Sequence, residues 1–96
     1  DRIKRMPQSS HASHPAIVKR LRRVEGHLRS VTTMIEDGRP CLDIAQQLHA
    51  IERAVTEAKR ALIRDHLEHC LDAAIGASDA QRRASTAEFK AIAGYL

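Results

Sequence analysis

His66 and Cys70 lie four residues apart in "DHLEHC" (65–70). On an α-helix that spacing sends both side chains off one face. Imidazole nitrogen and thiolate sulfur are donors that suit Zn(II), Cu(I), Ni(II) and Co(II). Two donors make a weak site, and the other cysteine, Cys41, is the obvious third. It lies 25 residues before His66. On a straight helix this separation is about 37 Å, so one chain cannot close a site with all three. Two such helices paired antiparallel would bring the partner's Cys41 level with His66 and Cys70, with the pairing centre near residues 54–55. The spacing therefore predicts two intersubunit sites per dimer. Taken singly, each residue has a plainer reading. A buried cysteine is usually a small hydrophobe. A helical histidine such as His66 or His69 is usually an exposed one. The arm of the chain carries two further histidines, His11 and His14.

The elements that must hold these groups are legible in the apolar spacing. Ile17, Leu21, Val24, Leu28, Val31 and Ile35 step by 4, 3, 4, 3, 4, a seam of two apolar residues in seven. Pro15 suits the first turn of that helix. Asp37-Gly38-Arg39-Pro40 ends it and starts the next. From Cys41 to Ile75 there is no Gly or Pro, and Ile44, Leu48, Ile51, Val55, Ala58 and Leu62 repeat the stepping. The phase then shifts to Ile63, Leu67, Cys70/Leu71 and Ala74. "GASDAQRRAS" (76–85) breaks the pattern, and a short last helix is expected after it. Ser85-x-x-Glu88 reads as its capping box, with Phe89, Ile92 and Leu96 on one face. Residues 1–14 read as a flexible arm and 15–96 as a single helical domain.

Composition narrows the class. The chain has 96 residues, with one Phe, one Tyr and no Trp. So little aromatic bulk suits helices that meet along thin seams and complete their core between chains. Two cysteines are too few for a disulfide scaffold, which favours a reducing, cytoplasmic setting. No apolar run approaches the roughly 18 residues of a membrane span. The net charge is +4, with a pI near 9.6. Lys19, Arg20, Arg22, Arg23 and Arg29 crowd the first helix, and Arg53, Lys59, Arg60 and Arg64 follow on the second. Without aromatics for base stacking, duplex DNA held through its phosphates is the expected polyanion.

The stretches "VKRLRRVEGHLRSVTTMIEDGRPCLDIAQQL" (18–48) and "DHLEHC" together resemble the CsoR/RcnR/FrmR family of metal- or formaldehyde-responsive transcriptional repressors. The resemblance covers roughly residues 14–96 and implies an all-α, three-helix protomer. It also implies an antiparallel dimer with a four-helix core, and a dimer of dimers that represses until its inducer binds. It places DNA contacts on the basic residues of the first two helices. In copper-sensing members a Cys of one protomer and a His and Cys of the other hold the metal, roles that carry over to Cys41, His66 and Cys70. Pro40 stands where copper sensors often carry Tyr, and Glu88 is a candidate for the family's helix-3 acid. Nickel- and cobalt-binding members draw an extra N-terminal histidine, which makes His11 and His14 candidate further ligands that would complete an N2S2 set.

The expectation is a tetrameric repressor that binds operator DNA in the apo form and is released by Ni(II)/Co(II) or Cu(I). The alternative inducer is formaldehyde, acting on Cys41 and an N-terminal amine, although Cys70 would be superfluous there. A persulfide sensor would leave His66 unused. An enzyme built on Cys41 and His66 would lack an orienting third group. A plain helical interaction protein would not explain the Cys–His–Cys spacing.

Overall fold

The computed structural model describes residues 13–96; His11 and the rest of the expected arm up to residue 12 lie outside the described residues. The described residues form three helices and no strand: α1 (His14–Glu36), α2 (Cys41–Ala74) and α3 (Asp79–Ala93). The all-α, three-helix protomer expected from the sequence is thus the observed fold. No described helix is long and apolar enough to cross a membrane. The chain divides into two compact units, Pro15–Ala58 and Lys59–Leu96, with His14 belonging to the second. α2 runs through both.

In the first unit α1 ends where the sequence says it must. Gly38 takes the left-handed conformation (φ 73°), which costs a residue without a Cβ little. Its N–H donates to the Ile35 carbonyl (3.1 Å), and the Arg39 N–H donates to that of Met34 (3.0 Å). Two carbonyls of the last turn that a helix leaves unsatisfied are thereby paired. The Ile44 N–H donates to the Pro40 carbonyl (3.2 Å), which opens α2.

The two-in-seven seam is half used. Ile17, Val24 and Val31, seven residues apart, are buried; Leu21, Leu28 and Ile35, the alternate positions, are exposed. α2 repeats the division. Ile51 and Ala58 are buried and Ile44 is half-buried, whereas Leu48, Val55 and Leu62 are exposed. Val24, Val31 and Ile51 form the core of the unit, with Ile44 and Ala54 packed against it. Each helix therefore spends one apolar stripe on its own chain and keeps a second in solvent.

Among the described residues of the second unit, Ile63 (2% exposed) and Cys70 (6%) are the buried ones, again seven apart. α2 stops at Ala74, one residue before the expected Ile75, and Gly76 takes φ 76° beyond it. The capping expectation for the last helix is corrected. α3 starts at Asp79, and its N-cap is Ser78, not Ser85. The Ser78 hydroxyl accepts from the Gln81 N–H (3.2 Å), and the Gln81 side chain accepts from the Ser78 N–H (3.0 Å). The sequence holds two box-like quartets. The first wins because it directly follows the glycine break, and it adds about two turns to the helix. Ser85 becomes mid-helical, so Glu88 is not a cap residue. Phe89 and Ile92 lie half-buried on the expected face, while Leu96 lies past the helix end and is exposed.

Candidate metal centre

α2 and α3 bring three donors together in the second unit. His66 Nε2 stands 3.3 Å from Cys70 Sγ and 3.3 Å from Glu88 Oε2. All three donor atoms lie within 4.8 Å of one another. The first pair follows from the i, i+4 spacing on one helix. The third donor arrives from α3, which reaches this level because it begins at Asp79.

The set fits a metal ion. Nitrogen and sulfur donors that share an ion with bonds of about 2.0 and 2.3 Å stand roughly 3.5 Å apart. The observed 3.3 Å is near that spacing before any adjustment of rotamers. The surroundings are graded: Cys70 is buried, His66 half-buried and Glu88 exposed. Burial pushes the Cys70 thiol above its ordinary value of 9.0, and the negative charge of Glu88 pushes it the same way. Cys70 is therefore a thiol at neutral pH, and a cation must displace its proton to be held by sulfur.

Cys41 is exposed in the first turn of α2 and is not a member of this donor group. His14 opens α1, and its Nε2 lies 4.0 Å from Asp65 Oδ2, beside the ligand pair in sequence but outside the donor group. His69 is exposed, as expected. Glu88 has two readings in the sequence, a cap residue in the Ser85 quartet and the helix-3 acid that the resemblance offers, and the position of α3 places it beside His66 and Cys70.

The cations singled out on the first two helices, Lys19, Arg20, Arg22, Arg23, Arg29, Arg53, Lys59, Arg60 and Arg64, are all exposed. Within the first unit three of them converge. Arg20, Arg23 and Arg53 line a cavity of about 500 Å³ together with His27, Glu57, Val24 and Ala54. Spacings of 3 and 4 put Arg20, Arg23 and His27 on one face of α1, and Arg53 and Glu57 on one face of α2. His27 and Glu57 were missed in the sequence, although those spacings could have found them. His27 Nε2 donates to Gln47 Oε1 at 2.5 Å and so ties α1 to α2.

A helical chain that gathers imidazole, thiol and carboxylate, and also carries an arginine-lined cavity, is equipped to bind a metal and a polyanion. The chain belongs to the family of metal-sensitive transcriptional repressors, which it matches over residues 13–93. It is therefore a metal-sensing transcriptional repressor and not an enzyme. The copper-sensing transcriptional repressor CsoR of Bacillus subtilis (strain 168) is 33% identical over 82 residues, which span 85% of this chain and 81% of that protein. The copper-sensing transcriptional repressor RicR of Mycobacterium tuberculosis (strain ATCC 25618 / H37Rv) is 40% identical over 57 residues, 59% of each chain. Among solved structures, the nickel-responsive transcriptional regulator InrS superposes with a TM-score of 0.76 at 30% identity, covering 88% of this chain and 93% of that one.

Proposed function

We propose that this repressor binds operator DNA in its metal-free form and is released when Ni(II) or Co(II) occupies paired sites between protomers. The convergence of His66, Cys70 and Glu88 carries this reading. A donor set of nitrogen, sulfur and carboxylate oxygen suits Ni(II) and Co(II) better than Cu(I), which prefers sulfur and imidazole alone. The partner's Cys41 would add a second thiolate, and its exposure leaves it free to reach a neighbouring chain. His14 and His11 are the candidates for a further nitrogen. The unused apolar stripes support the assembly. Six large residues, Leu21, Leu28, Ile35, Leu48, Val55 and Leu62, are exposed at seam positions and suit an antiparallel dimer and a dimer of dimers.

A bound metal would supply a positive centre, held by His66, Cys70 and Glu88 together with Cys41 of a second protomer. Cys70 would bind as the thiolate after losing its proton, His66 through Nε2 and Glu88 through its carboxylate. Arg20, Arg23 and Arg53, with Lys19, Arg22, Arg29, Lys59 and Arg60 nearby in sequence, neutralise DNA phosphates in the metal-free form. By linkage, DNA weakens metal binding by the factor by which metal weakens DNA binding, typically about 1–3 kcal/mol.

Copper is the second reading, favoured by the copper-sensing relatives. Cys70, His66 and the partner's Cys41 would then hold Cu(I), with Glu88 held off the metal. Anaerobic titration with Ni(II), Co(II) and Cu(I), read by absorption and by DNA binding, decides between them. The shared site has its own test. Cys41→Ala homodimers and His66→Ala/Cys70→Ala homodimers each lack a complete site, but their heterodimer has one. Mixing the two under exchange conditions restores tight metal binding if the site is shared, and restores none if it is not.

A further inference from the structure

The His27–Gln47 hydrogen bond lies between the features that this reading must connect. His27 lines the same cavity as Arg20, Arg23 and Arg53. Its partner Gln47 sits on α2, six residues after Cys41. The bond spans 20 residues of sequence at 2.5 Å, with both side chains half-buried. The buried cluster of this unit is apolar, Val24, Val31 and Ile51. Apolar contacts tolerate small slides between helices, because dispersion has no preferred direction. A hydrogen bond weakens steeply with distance and angle, so it fixes register.

We propose that His27 is a positioning residue that couples α2 to the arginine-lined cavity, so that a displacement of the Cys41 end of α2 alters the grip on DNA phosphates. Two of the three arginines, Arg20 and Arg23, stand on α1, and the third, Arg53, stands on α2. Their separation therefore depends on how α1 and α2 are registered, and the His27–Gln47 bond helps to fix that register through a residue, His27, that lines the cavity. Between Cys41 and Gln47 the helix is continuous and spans only about 9 Å, so a pull on the first turn reaches Gln47 undiminished. Pulling Gln47 moves His27 or breaks its bond, and either event changes the spacing of the three guanidinium groups. The inference rests on the functional reading above for its premise that metal binding at Cys41 and DNA binding oppose each other.

The test uses the full chain and a duplex selected by the metal-free protein from a random-sequence library. DNA affinity is measured with and without Ni(II), and Ni(II) affinity is measured without DNA. His27→Ala and Gln47→Ala should each cut the Ni(II)-induced change in DNA affinity at least threefold and leave Ni(II) affinity unaltered. The double variant should lose no more than either single variant, because one bond is removed in all three. His27→Gln, which can still donate to Gln47, should recover most of the response. A purely structural role would weaken DNA binding equally in both forms and keep their ratio; that result overturns the proposal, as does an intact ratio in Gln47→Ala. Gln47→Ala decides the matter by itself should His27→Ala fail to fold. A wild-type protein whose DNA affinity ignores both Ni(II) and Cu(I) overturns the functional reading, and this inference with it.

Discussion

Glu88 Oε2 on α3 lies 3.3 Å from His66 Nε2 on α2, a contact that joins the short last helix to the ligand face of the long one. It turns a two-donor helical motif into a three-donor cluster. Under the proposed function, removing Glu88 should therefore act either as loss of a ligand or through its neighbour His66. Glu88→Ala is expected to lower Ni(II) affinity about 10–100-fold, the range for loss of a supporting or weak ligand. Cu(I) affinity should fall less. Competition against a chromophoric chelator under anaerobic conditions measures both.

Cys70 should ionise late. In a Cys41→Ala/Tyr95→Phe variant it is the only thiol and no phenol remains, so absorbance at 240 nm reports it alone. The midpoint should lie above 9.0, the ordinary value, and Glu88→Gln should bring it down by removing the smaller of the two causes. The linkage has a definite sign. The folded chain holds this proton more tightly than the unfolded one. The associated stability is therefore complete below the ordinary thiol range and is lost as pH rises through it. Metal uptake should release the Cys70 proton, and a pH-indicator titration in weak buffer counts it.

Neighbouring residues on α2 should fail in different ways. Ile63 is 2% exposed and Leu62 is 39% exposed. Ile63→Ala removes buried methyls and should cost about 2–5 kcal/mol in urea unfolding. Leu62→Ala should change the stability of the protomer little. It should instead weaken self-association, seen by sedimentation at micromolar concentration, because its stripe faces outward.

The arginine cavity contains one carboxylate. Arg23→Ala should weaken DNA binding and lower the slope of its salt dependence by about one unit. Glu57→Gln should strengthen binding several-fold at low salt by removing a negative charge beside Arg53 and Arg23, and the gain should shrink as salt rises. Fluorescence anisotropy at several salt concentrations reads both variants.

Much of this protein was legible because it is written within one or two helical turns. The 4-3 stepping from Ile17 to Ile35 and from Ile44 to Leu62 names the faces. Gly38 and Pro40 mark the break between α1 and α2. His66 and Cys70 share a face by spacing alone. These features follow from backbone geometry, which acts over three to seven residues and needs no partner. The error at the start of α3 belongs to the same scale. Ser78-x-x-Gln81 and Ser85-x-x-Glu88 are both valid local patterns, and what ranks them is the break at Gly76, which lies outside either quartet.

The rest depended on groups far apart in sequence. Glu88 meets His66, His27 meets Gln47, and His14 meets Asp65, at separations from 20 to 51 residues. Periodicity says which residues leave the same side of a helix, but not which opposing side chain waits there. That is set by the register in which one helix packs on another. The seam carries the same distinction. The sequence marks Val24 and Leu28 as equivalent apolar positions, but packing buries Val24 and leaves Leu28 in solvent. Spacing along the chain determines the elements and their faces; only the tertiary packing decides which faces meet, because that choice depends on long-range contacts that no local pattern encodes.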